Sequence, residues 1–213
     1  MQPASNQRAW WRVLKAQDFL LGAKGLKMMK RLLNGLAMFA TLVGLAVVVP
    51  ASAQAAPYCE ITWGSLPKEA GAPSPPYPPA TLTNVRAGRH GCYDRLVLDV
   101  DGPTGGFVRY EDAVTTEGRG DVLPLRGGAF LQIGLRNPSY DINTGDSTFT
   151  PMNPNELVNV TGWRTFRQVA DGGSFEGYTT IGLGVRARLP FRVFVLAGPG
   201  SGSRLVVDVA HRW

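Results

Sequence analysis

Two histidines, two cysteines, a few carboxylates and a set of arginines interleaved with aromatic rings are the side chains of this 213-residue chain that could do chemistry. His90 and His211 are its whole histidine complement, which excludes a three-histidine zinc site. A site of two histidines and a carboxylate would need both to converge on one acid. Cys92 lies two residues after His90, but a nucleophilic thiol also needs a third group to orient its base, and none is identifiable. Glu111 and Asp112 are adjacent, so on a strand they face opposite sides and cannot act on one bond. Ser201 and Ser203 lie in the flexible turn Gly198-Pro-Gly-Ser-Gly-Ser203, not in a Gly-x-Ser-x-Gly elbow. Gly182-Leu-Gly184 is an isolated fragment of a phosphate-loop pattern and reads as a bulge or a close backbone approach. These residues predict a non-enzyme with no metal site and no cofactor. The competing hydrolase reading requires His90 or His211 beside a carboxylate in a cleft.

Binding chemistry fits better. Glycans are held by rings against which sugar C–H faces stack and by planar polar groups that hydrogen-bond hydroxyls. Trp163, Arg164, Phe166 and Arg167 supply such groups within one short run, and Tyr140 and Phe149 sit in a Pro/Asn/Asp-rich stretch of the kind that is exposed and carries function. Core packing is the favoured role for Trp163 and Phe166. Tyr140, Phe149, Arg164 and Arg167 therefore stand as the candidate ligand contacts.

The elements that must position these residues begin after a distinctive leader. Residues 1–56 hold seven basic side chains (Arg8, Arg12, Lys15, Lys24, Lys27, Lys30, Arg31) against Asp18 alone, so 7 − 1 accounts for the whole formal charge of +6. The remainder carries fifteen basic and fifteen acidic residues, a balance that offers nucleic acid no electrostatic footprint. Residues 32–49 form an apolar run preceded by Lys27, Lys30 and Arg31 and followed by Pro50-Ala-Ser-Ala-Gln-Ala-Ala56. Those are the three parts of a secretory signal peptide, with cleavage after Ala53 or Ala55; the true start is Met1, Met28 or Met29. An uncleaved anchor is the alternative, since eighteen apolar residues can just span a bilayer. Membrane contact is otherwise not expected. In an oxidising compartment Cys59 and Cys92 are expected to pair, with unpaired thiols the alternative. The bridge would tether residues 57–80, whose Pro-rich part (AGAPSPPYPPA) can pack little, to a domain spanning residues 81–213.

That domain reads as strands and turns. Arg95-Leu-Val-Leu-Asp-Val-Asp101 alternates, with Leu96, Leu98 and Val100 on one side. Residues 107–114, 129–136, 163–171, 175–185, 191–196 and 204–210 are further strands, broken by Gly102-Pro103, Gly172-Gly173, Leu189-Pro190 and other Gly/Pro turns. Residues 137–156 form a loop that is long for a compact domain. No window after residue 80 offers an amphipathic helix. The predicted fold is all-β, a single small β-sandwich of about seven or eight strands. The hexapeptides Arg95-Leu-Val-Leu-Asp-Val100 and Arg204-Leu-Val-Val-Asp-Val209 differ at one position and read as two core strands, paired or pseudo-symmetric, whose outward Arg and Asp form exposed cross-strand ion pairs.

Arg95-Leu-Val-Leu-Asp-Val-Asp-Gly-Pro103, Pro190-Phe-Arg-Val-Phe194 and Arg204-Leu-Val-Val-Asp-Val-Ala-His211 together resemble the AMIN-like domain of secreted bacterial envelope proteins. Tyr58-Cys-x-Ile-Thr-Trp-Gly-Ser-x-x-Lys68 and Gly177-Tyr-Thr-Thr-Ile-Gly-Leu-Gly184 resemble the same group, so the likeness spans nearly all of residues 58–213. The group is distantly similar to the AMIN module of cell-wall amidases and secretins, a non-catalytic targeting domain. The resemblance implies an extracytoplasmic, non-catalytic module that engages peptidoglycan or an envelope protein. A small extracytoplasmic hydrolase and a purely structural protein–protein adaptor are the alternatives.

Overall fold

A computed structural model describes residues 58–71, 79–198 and 200–213. The expected signal segment, residues 1–56, and most of the Pro-rich stretch lie outside the described residues. Among those described, nine strands form: β1 (Lys68–Gly71), β2 (Leu82–Arg89), β3 (Tyr93–Val100), β4 (Gly105–Glu111), β5 (Ala129–Leu135), β6 (Phe166–Phe175), β7 (Tyr178–Val185), β8 (Phe191–Ala197) and β9 (Ser203–Ala210). The one helical element among them is the single 3-10 turn Tyr58–Glu60, and no described helix is long and apolar enough to cross a membrane. The strands build two antiparallel sheets, ordered β1-β4-β5-β7-β6 and β2-β3-β9-β8. This is the expected all-β sandwich.

The core follows from alternation. Leu96, Leu98 and Val100 of β3 and Leu205, Val207 and Val209 of β9 are buried with Phe191 against Val108, Leu131, Ile133, Leu135, Phe166, Val169, Ile181, Leu183 and Val185 of the other sheet. The two related hexapeptides pair directly, in the register Arg95↔Asp208, Val97↔Val206 and Asp99↔Arg204.

Three elements differ from the sequence reading, each for a local reason. Strand β2 escapes notice because a bulge between Leu82 and Asn84 shifts its phase, so its buried residues, Leu82 and Val85, are three apart instead of two. Strand β1 is a four-residue edge without β-branched side chains, contributed by the disulfide-tethered segment. The break expected at Gly172-Gly173 is absorbed as a register shift inside β6. The reversal falls instead at Glu176-Gly177, both with positive φ (49° and 85°), as a two-residue type I′ hairpin turn requires.

Each end of the sandwich is closed by buried polar bonds. At one end Asn137 donates to the carbonyls of Ala80 (2.9 Å) and Pro103 (3.1 Å) and accepts from Thr104 Oγ1 (2.6 Å). At the other, the Asp94 carboxylate accepts from the backbone N–H of Thr165 (2.8 Å) and Phe166 (3.1 Å), joining β3 to the start of β6.

Candidate functional site

The outer face of the four-stranded sheet is built from the residues that alternate away from the core. Opposite one another lie Arg95 of β3, Asp208 of β9 and Arg192 of β8; the next row holds Arg86, Val97, Val206 and Phe194; the next holds Asp99, Arg204 and Leu196. Asp208 is fully buried although it points away from the core. It accepts from Arg95 Nε (2.6 Å) and Nη2 (2.9 Å) and from Arg192 Nε (2.8 Å). The expected exposed ion pair is thus a sequestered carboxylate under two guanidinium groups. The reason is a third strand: β8 brings Arg192 across Asp208, and aromatic rings close the sides. The hydrogen bond to Asp208 raises the Arg95 pKa above its ordinary value, and burial works against it.

Those rings form a lattice with the arginines. The Arg192 guanidinium carbon lies 4.4 Å from the Trp63 ring centroid, 5.1 Å from Phe194 and 5.5 Å from Tyr93. Arg95 lies 5.3 Å from Tyr93 and 5.4 Å from Phe194. His90 stacks on Tyr93 at 4.5 Å, and Trp63 meets Tyr93 edge-on at 5.6 Å. Cation–π contacts of this kind contribute about 0.5–2 kcal/mol each, more when shielded from water. Val97 and Val206 are buried on this outward side, covered by side chains of the lattice.

Trp63 comes from outside the sheet. The Cys59–Cys92 disulfide, with Cα atoms 6.1 Å apart, fixes one end of the Trp63 segment. Phe191 N–H donates to the Gly64 carbonyl (2.9 Å), and Arg188 holds Ser65 through its hydroxyl (3.2 Å) and carbonyl (3.1 Å).

Asp99 pairs with Arg86 (2.8 Å) and not with Arg204, which sits directly opposite it. Arg204 Nη2 donates to the Ala197 carbonyl, while its buried Nε has no hydrogen-bond partner among the described residues. Four arginines against two aspartates give this face 4 − 2 = +2, although the charges of residues 57–213 as a whole balance.

A model of the AMIN-like domain matches residues 80–211, well over half the chain. The chain belongs to the AMIN-like domain family. The match covers β2 through β9 and leaves out β1 and the Trp63 segment. AMIN-like domains occur in envelope proteins and are generally non-catalytic binding modules. No curated protein and no solved structure matches the chain.

In this AMIN-like domain the four contacts expected from sequence fall at two ends. The Tyr140 hydroxyl accepts a long bond from Gly177 N–H (3.4 Å) beside the β6–β7 turn. Phe149 is half-buried against the main core, and its neighbour Thr148 bonds the Leu82 carbonyl. Arg164 is exposed before the opposite end of β6. Arg167 donates to the carbonyls of Trp163 (2.9 Å) and Phe166 (2.9 Å), which curls the chain there and delays β6 until Phe166. Phe166 is core, as expected, and Trp163 stacks on it at 5.9 Å.

The features a hydrolase would need are present only in part. Pairing of β3 with β9 brings His90 and His211 to one end of the sheet, but His90 is exposed. His211 is buried to 4% exposure with its Nε2 3.1 Å from Asp94. Asp94 recruits it inward as a partner for the carboxylate oxygen that the backbone leaves open. His211 Nδ1 is buried without a partner among the described residues, where no cluster of three metal-ligating side chains occurs either. Glu111 and Asp112 line one shallow cleft of about 210 Å³ with Tyr110, Phe130 and Arg188, because β4 ends at Glu111 and the alternation stops there. Glu111 is paired with Arg109, and the Tyr110 hydroxyl is engaged by Leu189 N–H and carbonyl, both at 2.9 Å.

Proposed function

We propose that this AMIN-like protein is exported by its N-terminal signal segment and acts as a non-catalytic module that binds cell-wall glycan, peptidoglycan in the first instance. The binding surface is the outer face of the four-stranded sheet. The observation that carries this reading is the Arg–aromatic lattice around Asp208, where ring faces and guanidinium donors are held rigidly and still meet solvent. Rigid rings beside fixed planar donors suit a polysaccharide, because little side-chain freedom remains to be lost on binding. Hydrolysis is disfavoured by the inaccessibility of the His211–Asp94 pair. A protein-adaptor role has one observation in its favour, the exposed cross-strand pair Phe175 and Tyr178 at the β6–β7 hairpin.

Co-sedimentation with purified peptidoglycan sacculi tests the proposal. The exported protein should pellet with sacculi, Trp63→Ala and Arg192→Ala should stay in the supernatant, and Phe175→Ser should behave as the parent does. A parent protein that does not pellet, or loss of pelleting with Phe175→Ser alone, overturns it.

A further inference from the structure

The charge count around Asp208 says more than that the face can bind a glycan. Two guanidinium groups share one buried carboxylate, so the trio holds a net charge of +1 in partly desolvated surroundings. Such an excess is costly unless an anion completes it. The donors are also not used up. Among the described residues Arg192 gives only its Nε–H to Asp208, while Arg95 gives Nε–H and Nη2–H to Asp208 and its other Nη2–H to the Tyr93 hydroxyl (3.4 Å), leaving both Nη groups of Arg192 but only Nη1 of Arg95 without a protein acceptor. The Arg192 side chain keeps 40% exposure and Arg95 keeps 23%. Asp208 and the flanking rings fix both guanidinium planes, so the open edges are oriented before any ligand arrives. A fixed guanidinium edge matches the two oxygens of a carboxylate, which it can bind bidentately.

We propose that the outer face of the four-stranded sheet recognises an acidic glycan, one sugar carboxylate docking on the open guanidinium edge of Arg192 and the open Nη1 of Arg95 while the ring lies against the surrounding aromatics. The inference rests on the reading of this face as the glycan-binding surface and adds the chemistry of its ligand. The face's net +2, on a body that is neutral as a whole, supplies the complementary charge. Asp208 acts as a positioning residue that aims both arginines.

Calorimetric titration of the full, exported protein with three probes decides it: an oligogalacturonate, the same oligosaccharide with its carboxylates reduced to alcohols, and a poly(glycerol phosphate). The oligogalacturonate should bind at least tenfold more tightly than its reduced form and than the phosphate polymer, and should weaken as salt rises. Arg192→Ala should melt lower yet remain fully folded at the titration temperature and bind about tenfold more weakly, and Arg192→Lys should not restore the affinity, because an ammonium lacks the planar fork. Equal binding of the acidic and reduced probes, both lost with Trp63→Ala, overturns the carboxylate assignment and leaves the glycan face standing. Tighter binding of the phosphate polymer overturns it as well. Failure of every probe while sacculi still pellet the protein contradicts the inference alone; failure with sacculi too removes the underlying reading.

Discussion

The two sheets turn very different outer faces to the surroundings. Over the five-stranded sheet the chain lays its own segment, residues 113–128. Val114, Leu123 and Ala170 are buried there with Leu125 and Phe130. The floor beneath is glycine: a Cβ on Gly182 would come within 2.7 Å of Leu123 and 2.9 Å of Leu125, and one on Gly184 would collide with the Arg126 carbonyl. Gln168 pins the cover, accepting from Arg126 N–H (2.7 Å) and donating to the Asn155 carbonyl (2.9 Å). Over the four-stranded sheet the positions equivalent to that floor hold Arg95, Arg192, Phe194 and Arg204, and the described chain crosses it only at the edge, where the Trp63 segment passes. Small residues admit the protein's own backbone, whereas long charged and aromatic ones leave a textured surface. The sandwich has covered one outer face with its own chain and left most of the other uncovered.

Four variants press on that contrast, the largest effect first. Asp208→Ala leaves two arginines crowded with no buried acceptor and should destabilise the protein by about 3–5 kcal/mol in urea denaturation; a loss below about 1 kcal/mol, the range of an exposed pair, would mean that the open face is held by packing alone. Replacing Cys59 and Cys92 together by Ser should cost about 3–4 kcal/mol through restored loop freedom. The far-ultraviolet spectrum of the β-sandwich should persist while glycan binding falls, since Trp63 loses its anchor. Gly184→Ala should cost about 1–3 kcal/mol by overpacking and open the cover to trypsin at Arg119 or Arg126, yet leave glycan binding intact. Reduced binding there would show that the covered face also takes part. The smallest effect belongs to Asp171, which β6 places next to the covered face. Burial holds its carboxyl above the ordinary carboxylate value, with the Gly173 N–H bond acting the other way. The folded state then binds this proton more readily than the unfolded chain, so stability declines as pH rises from the ordinary value through the raised one. Asp171→Asn keeps the acceptor for Gly173, should remove that decline, and should melt slightly higher than the parent at neutral pH.

Much of the fold was legible because alternation is a local property. The β3 and β9 hexapeptides declare their buried aliphatics, and Gly182-Leu-Gly184 proved to be a close backbone approach, one of the two options its pattern allowed. Cys59 and Cys92 are joined, as expected from their pairing in the sequence reading. The site was much less legible because it depends on register between strands distant in sequence. Nothing near Asp208 in the chain announces that Arg192 will cross it, or that Val97 and Val206 will be buried on the wrong side of their strand. One signal was available: in Phe191-Arg-Val-Phe194, Phe191 and Val193 alternate with Arg192 and Phe194, as Tyr93 and Arg95 alternate with Leu96, which places all four outward residues in one class. Tyr140 and Phe149 were singled out by composition alone. Their loop is polar, but Phe149 folds back as part of the lid over the core.

The central claim, that the uncovered sheet face is the binding face, is tested most directly by arginine labelling with phenylglyoxal, followed by mass spectrometry, with and without soluble peptidoglycan fragments. Arg126 on the cover, Arg164 before β6 and Arg192 on the open face are all solvent-accessible and report on three regions in one experiment. The account predicts that bound fragments slow labelling of Arg192 severalfold and leave Arg126 and Arg164 unchanged. Slower labelling of Arg126 or Arg164 with Arg192 unaffected would contradict it.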